Sequence, residues 1–256
     1  MRLYLLTLMF ISLFVLPAGA QKKFSAYLEN YQHTITYPDH KVTLHVQPDD
    51  KTLSYTDLTK SYYWYSNNQI KITQGGFSGK LLHGLYSSYY ENRNLQEQGN
   101  FKMGLKNGEW KSWTTDGLLK HAVNYHEGIY DGIFYQYNEQ GKLIEQGSYK
   151  TGLKSGEWKS WAEDGHLKNV TNFQNGIPEG DFYKYNEQGK LIEKGWNHEG
   201  KLDRELIRYQ GDSTLKTKYK DGVIVPPKVK TKTSWKWIDW IFKNKTKEGN
   251  NTKPVK

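Results

Sequence analysis

The chain has 256 residues, a formal charge of +9 and no cysteine. That excludes disulfides, thiolate metal sites, a cysteine nucleophile and a lipidated amino-terminal cysteine. The charge is concentrated at one end: residues 227–256 carry nine Lys against two acids, so the stretch 21–226 is close to neutral, which is poor ground for a nucleic-acid binder.

Residues 1–20 read as a signal peptide. Arg2 opens it, an apolar run fills 3–16, and Pro17-Ala18-Gly19-Ala20 supplies small residues for cleavage after Ala20. The run falls short of the roughly 20 residues that span a bilayer. The mature protein is therefore expected to be exported: periplasmic, envelope-associated or secreted.

Residues 21–74 are expected to form an amino-terminal β cap over a sheet edge. Alternation over His33 to Tyr37, a turn at Pro38-Asp39-His40-Lys41 and a second run from Val42 to Val46 suggest a hairpin. Tyr62, Tyr63, Trp64 and Tyr65, with Ile70 and Ile72, fit a degenerate first repeat, since Tyr62 and Tyr65 lie 24 residues before Tyr86 and Tyr89.

Residues 75–222 are a repeat array. GNFKMGLKNGEWKSWTTDG at 99–117 aligns with GSYKTGLKSGEWKSWAEDG at 147–165, and each 48-residue unit divides into two of 24. Leu falls at 95, 119, 143, 167, 191 and 215. Aromatic columns run through Phe77, Phe101, Tyr125, Tyr149, Phe173, Trp196 and Tyr219, through Tyr86, Trp110, Phe134, Trp158 and Phe182, and through Tyr89, Trp113, Tyr137, Trp161 and Tyr185. Gly recurs at 84, 108, 132, 156 and 180. The composition, 20 Tyr, 9 Trp, 9 Phe and 24 Gly, favours strands and turns.

Each 24-mer reads as a hairpin, with a tight turn at Asn107-Gly108, Asp131-Gly132 or Ser155-Gly156. A second turn is expected at Asp116-Gly117, Gln140-Gly141, Asp164-Gly165 or Gln188-Gly189. Strict alternation places Leu95 with Phe101 on one face, and Trp110 and Trp113 on opposite faces. Gly99, Gly147 and Gly195 leave room for an aromatic over bare backbone. Both faces then carry an aromatic ladder, one forming the core and the other covered or free to bind.

In residues 223–256, Pro226-Pro227 ends the array, and Trp235, Trp237, Ile238, Trp240, Ile241 and Phe242 fill a broad arc of a helical projection. A short C-terminal helix is expected. Its apolar patch suits either docking on the last hairpin or an anionic lipid surface.

The pattern G-L-K-N-G-E-W-K-S-W-x-x-D-G resembles the bacterial variant of the MORN repeat and the YwqK-type proteins that carry an antitoxin label. The resemblance covers about residues 75–222 and implies a scaffold for protein or phospholipid contacts. At the end of the array Arg204 replaces a turn glycine, which suggests a worn capping repeat.

The histidines fall in permissive columns: His126 and His198 share theirs with Lys102, Lys150 and Gln174, and His166 with Leu118 and Lys142. His33 and His45 could face each other across the first hairpin, a weak pair for a metal. Glu109, Glu157 and Asp181 share a column with Leu85 and Ile133, which suits a turn-flanking position better than acid–base work. No nucleophile elbow, zinc-binding His-Glu motif or phosphate loop is present.

The expectation is an all-β, elongated antiparallel meander of about 24-residue hairpin repeats. It is expected to be non-enzymatic, with no cofactor, no metal and no nucleic-acid partner. Its candidate binding ladder is Tyr89, Trp110, Trp113, Tyr137, Trp158, Trp161 and Tyr185. A protein-binding scaffold is the first reading of function, a glycan or envelope-binding module the second, and a toxin-neutralising protein the third. The oligomeric state stays open.

Overall fold

A computed structural model describes residues 31–48 and 55–227. The expected signal peptide, the C-terminal helix and the patch from Trp235 to Phe242 lie outside these residues. The described residues form seventeen strands and no helix.

The first hairpin joins β1 (Gln32–Thr36) to β2 (His40–Val46). A second joins β3 (Ser61–Ser66) to β4 (Gln69–Gln74). The array proper starts with β5 (Lys80–Tyr90), β6 (Leu95–Lys102), β7 (Leu105–Trp113) and β8 (Leu119–His126). It continues through β9 (Ile129–Tyr137), β10 (Leu143–Lys150), β11 (Leu153–Trp161) and β12 (Leu167–Gln174). Then come β13 (Ile177–Tyr185), β14 (Leu191–His198), β15 (Lys201–Gln210), β16 (Ser213–Lys220) and the two-residue β17 (Val223–Ile224). From β5 onward each strand pairs antiparallel with the next.

β2 pairs with the other side of β5, His40 opposite Tyr90 through Val46 opposite Leu82, so the first array strand is no open edge. Here the packing is densest: Ile35, Val42, Leu44, Val46 and Leu82 join one buried cluster with Phe101, Trp110 and Val123. The β3–β4 hairpin is not the degenerate repeat that the Tyr62 and Tyr65 spacing suggested. Its register runs without a bulge around an Asn67-Asn68 turn with both φ positive. Against the array, only Trp64 and Tyr65 pair, with Leu81 and Lys80, and the Tyr63 N–H donates to the Gly104 carbonyl at 2.8 Å.

The tight turns lie four residues earlier than Asn107-Gly108 predicts. They are Met103-Gly104, Glu127-Gly128, Thr151-Gly152, Asn175-Gly176, Glu199-Gly200 and Asp221-Gly222, each with positive φ at both residues. That is the backbone of the tight hairpin turn whose twist matches the flanking strands. Successive turns are stapled together: the Gly104 N–H donates to the Leu82 carbonyl, Gly128 to Lys106, Gly152 to Tyr130 and Gly176 to Lys154, at 2.7–2.9 Å.

The glycines predicted to turn, Gly108, Gly132 and Gly156, instead lie inside β7, β9 and β11, still with φ of +74°, +114° and +70°. They serve bulges. Between β6 and β7 the register jumps from Asn100 opposite Asn107 to Gln98 opposite Lys111, so β7 spends two extra residues there. The expected second turns do occur, with Gly117, Gly141, Gly165 and Gly189 donating to Thr114, Asn138, Ala162 and Asn186 carbonyls.

A further bulge follows each second turn and overturns the shared face of Leu95 and Phe101. Ser88 lies opposite Glu97 but Tyr89 opposite Leu95; Ser112 lies opposite His121 but Trp113 opposite Leu119. One residue is skipped on the return strand, and the in–out alternation flips across it.

Candidate functional site

The two aromatic columns of β7 and β11 part company because Trp110 and Trp113, and likewise Trp158 and Trp161, are an odd number of residues apart, and the bulge beside them places its extra residue on the partner strand, β8 or β12.

On one face, the core face, the chain has removed every side chain that would compete with the indoles. A Cβ on Gly99 would lie 2.2 Å from the Trp110 ring, and one on Gly147 2.2 Å from the Trp158 ring. The indoles therefore lie flat on bare backbone, and their Nε1–H groups donate to the Asn100 and Ser148 carbonyls at 3.1 Å. Rings continue unbroken from Tyr63 through Phe101, Trp110, Tyr125, Tyr130 and Tyr149 to Trp158 and Phe173, neighbouring centroids 4.8–6.3 Å apart. Those separations suit edge-to-face and offset aromatic packing.

Lysines close this layer. Lys106 Nζ stands 3.9 Å above the Trp110 ring and bonds Glu97 at 2.7 Å. Lys154 repeats this above Trp158, at 3.7 Å, with Glu145 at 2.9 Å. The ammonium groups themselves lie over the indole faces, a cation–π arrangement, while each also pairs with a carboxylate. As a result Trp110 is 2 % exposed and Trp158 4 %. Both were expected in the binding ladder; both belong to the core, since a ring sealed between a glycine and a lysine has no free surface.

On the other face, the open face, the cross-strand pairs are Tyr89 with Leu95, Trp113 with Leu119, Tyr137 with Leu143, Trp161 with Leu167 and Tyr185 with Leu191. All ten are partly exposed. The aromatics recur on alternate strands, hence at about 10 Å intervals, and from β5 to β13 the row extends about 40 Å. Beside it run Lys111, Tyr135, Lys159 and Tyr183, also partly exposed.

The carboxylates that could suggest chemistry sit on this open face in exposed pairs. Glu109 bonds Lys111 and Glu157 bonds Lys159, each at 2.7 Å, with both carboxylates about half exposed. His126 and His198 are exposed, as their permissive column implied. His33 and His45 do not face each other: His33 lies opposite Leu44 and stacks on Tyr65 at 4.3 Å, whereas His45 Nδ1 is 2.9 Å from the Leu85 carbonyl oxygen. Among the described residues no three His, Asp or Glu side chains are placed to share a metal ion.

Sequence reasoning missed the start of the open row. There a cleft of about 580 Å³ opens between the β1–β2 turn and the turn after β5, lined by Thr36, Tyr37, Lys41, Tyr89, Tyr90 and Arg93 among others. A signal was available. Arg93 stands 24 residues before Gly117, in the second-turn glycine column, and holds the glycine backbone with φ +71°. The Trp196 column was misjudged by one residue. Asn197, not Trp196, pairs with Gly180 as Phe101 pairs with Gly84, and Trp196 carries the Arg204 guanidinium 3.8 Å above its ring.

Compared with known proteins, the chain matches the MORN repeat variant model over residues 82–103, 130–151 and 154–175. Each match spans two neighbouring strands and the turn between them, and ends on the first residue of the next tight turn. No curated protein matches the chain.

Proposed function

We propose that this is a non-enzymatic, extracytoplasmic repeat protein whose open face binds an extended glycan of the cell envelope. The observation that carries the proposal is the row Tyr89, Trp113, Tyr137, Trp161 and Tyr185, partly exposed and evenly spaced on alternate strands. Aromatic faces stack on the apolar faces of sugar rings. An interval of about 10 Å between rings is close to a two-sugar step of an extended polysaccharide. Interleaved Lys111 and Lys159 add donors for hydroxyl and acidic groups. A folded protein partner places its binding energy in a few central, desolvated anchors, whereas here five partly exposed rings are spread evenly along the row. Export rests on the apolar run and small-residue cleavage site of residues 1–20.

The expected outcome is that the mature chain co-sediments with purified envelope polysaccharide, that Trp113→Ala combined with Trp161→Ala abolishes this, and that the double variant keeps the far-ultraviolet spectrum of the parent. Undiminished sedimentation of the double variant overturns the assignment.

A protein-binding scaffold remains as a second reading because one observation favours it. Ile129, Leu153 and Ile177 form an aliphatic row beside the tight turns, each 41–50 % exposed, and contiguous exposed aliphatics mark protein contacts. Recovery of one stoichiometric envelope protein, lost on Leu153→Ser but kept in the tryptophan double variant, selects this reading over the glycan.

A further inference from the structure

We infer that the cleft at the start of the open row recognises a carboxylate-bearing sugar unit, so that the glycan bound along the row is an acidic one. The inference rests on the glycan reading above and adds to it the class of polymer and the site that selects it.

The cleft is continuous with the row. Tyr89 is both its wall and the first ring of the series, and the register places Lys41 directly opposite Tyr89 and Thr36 opposite Lys41. These three therefore project from the open face. Its about 580 Å³ falls in the range of ordinary small-molecule sites. Two cations line it, Lys41 and Arg93, both exposed and neither in an ion pair among the described residues. The third basic group, His40, is already bonded to Asp39 at 2.7 Å and stacked on Tyr37. Glu91 is the one carboxylate in the lining.

Arg93 is the telling residue. At the equivalent place the next four turns have Gly117, Gly141, Gly165 and Gly189, with φ between +71° and +94°. Arg93 adopts the same left-handed backbone at φ +71°, at a cost that glycine avoids. This is also the turn that borders the cleft. A guanidinium offers a planar two-pronged donor to a carboxylate, and Lys41 supplies a second positive charge. Tyr89 and Tyr90 provide ring faces and Thr36 and Thr43 hydroxyls for the sugar itself. The rest of the row has its lysines partly occupied, Lys111 by Glu109 and Lys159 by Glu157, so acid selection is concentrated at this end.

The test titrates the mature chain with three probes, followed by calorimetry: a hyaluronan oligosaccharide, its methyl-esterified neutral counterpart, and vesicles of phosphatidylglycerol. The acidic oligosaccharide is expected to bind about tenfold more tightly than the ester, the size of one charge-assisted hydrogen bond. Arg93→Gly relieves the backbone and so leaves the fold intact; with Lys41→Gln it is expected to bring the two oligosaccharides to equal affinity. Trp161→Ala is expected to weaken both equally. Acid preference unchanged in Arg93→Gly/Lys41→Gln overturns the cleft assignment while leaving the row reading standing. Binding of the vesicles alone, or of neither oligosaccharide, overturns both.

Discussion

Trp158 and Trp161 share one strand, one repeat and one sequence context, Gly-Glu-Trp-Lys-Ser-Trp, yet one is 4 % exposed and the other partly open. The difference is not in the tryptophans. Trp158 lies over Gly147, where a Cβ would sit 2.2 Å from its ring, and under Lys154. Trp161 lies beside Leu167 and is left partly exposed. A single sheet with solvent on both sides can make a dry core on one face only by stripping that face to glycine and sealing it with long side chains. The other face leaves its rings partly exposed.

The largest effect that can break this contrast is removal of the core ring. Trp158→Ala is expected to cost about 3–5 kcal/mol, and Trp161→Ala under about 1 kcal/mol, both from urea denaturation midpoints. Equal losses would show that the two faces are alike. Next in size is Gly147→Ala. The indole is held by Tyr149, Phe134 and Phe173 and cannot swing aside, so overpacking of about 1–3 kcal/mol is expected. The same change at Gly195, where Phe182 and Leu206 lie 2.8–2.9 Å away, should cost less because those tips can shift.

Smaller still is a test of backbone alone. A Cβ on Gly108 meets nothing within 4 Å, so Gly108→Ala is expected to cost about 1–2 kcal/mol from its positive φ. Arg204 sits in the same column with φ +64°, and Arg204→Gly is expected to raise stability slightly, less the loss of stacking on Trp196. Denaturation midpoints moving in the same direction would show that the column has no backbone requirement.

The smallest expected effect is on pH. Burial works to raise the Glu193 carboxyl, but hydrogen bonds from Lys184 and Arg208 outweigh it and hold it below the usual carboxylate range. Glu179 is lowered by the Glu199 N–H and then by His198, Asp203 by Lys220 and Glu127 by Lys60. Because these folded-state values lie below the unfolded ones, their contribution is complete above the ordinary value of roughly 4 and is lost as pH falls through the depressed values. A modest drop in urea midpoint below about pH 5 is expected, flatter in Glu193→Gln. Partners this exposed are screened by water, so the core face should outlast the acid loss, as near-ultraviolet circular dichroism of the buried indoles would report.

Much of the architecture was legible in the residues. The 24-residue columns imply stacked hairpins, and the glycines at 99 and 147 announce the space that Trp110 and Trp158 fill. Arg204 stands out as the one non-glycine in a glycine column and does carry the positive φ that the column demands. Asn107-Gly108 misled because a positive-φ glycine serves a strand bulge as well as a turn, and local sequence does not distinguish the two. Met103-Gly104 was overlooked for the complementary reason: Met seldom takes φ of +53°, and does so here because the Leu82 carbonyl and Tyr63 N–H engage Gly104 from outside the hairpin.

By itself the sequence determined the period, the strand-and-turn composition and the glycine positions, since these depend on local backbone preference and on like residues meeting like when repeats stack. Only the tertiary structure decided which ring of each pair is core and which is surface. A bulge moves the alternation by one residue, and its place depends on hydrogen bonds to the neighbouring strand that no single 24-residue unit contains.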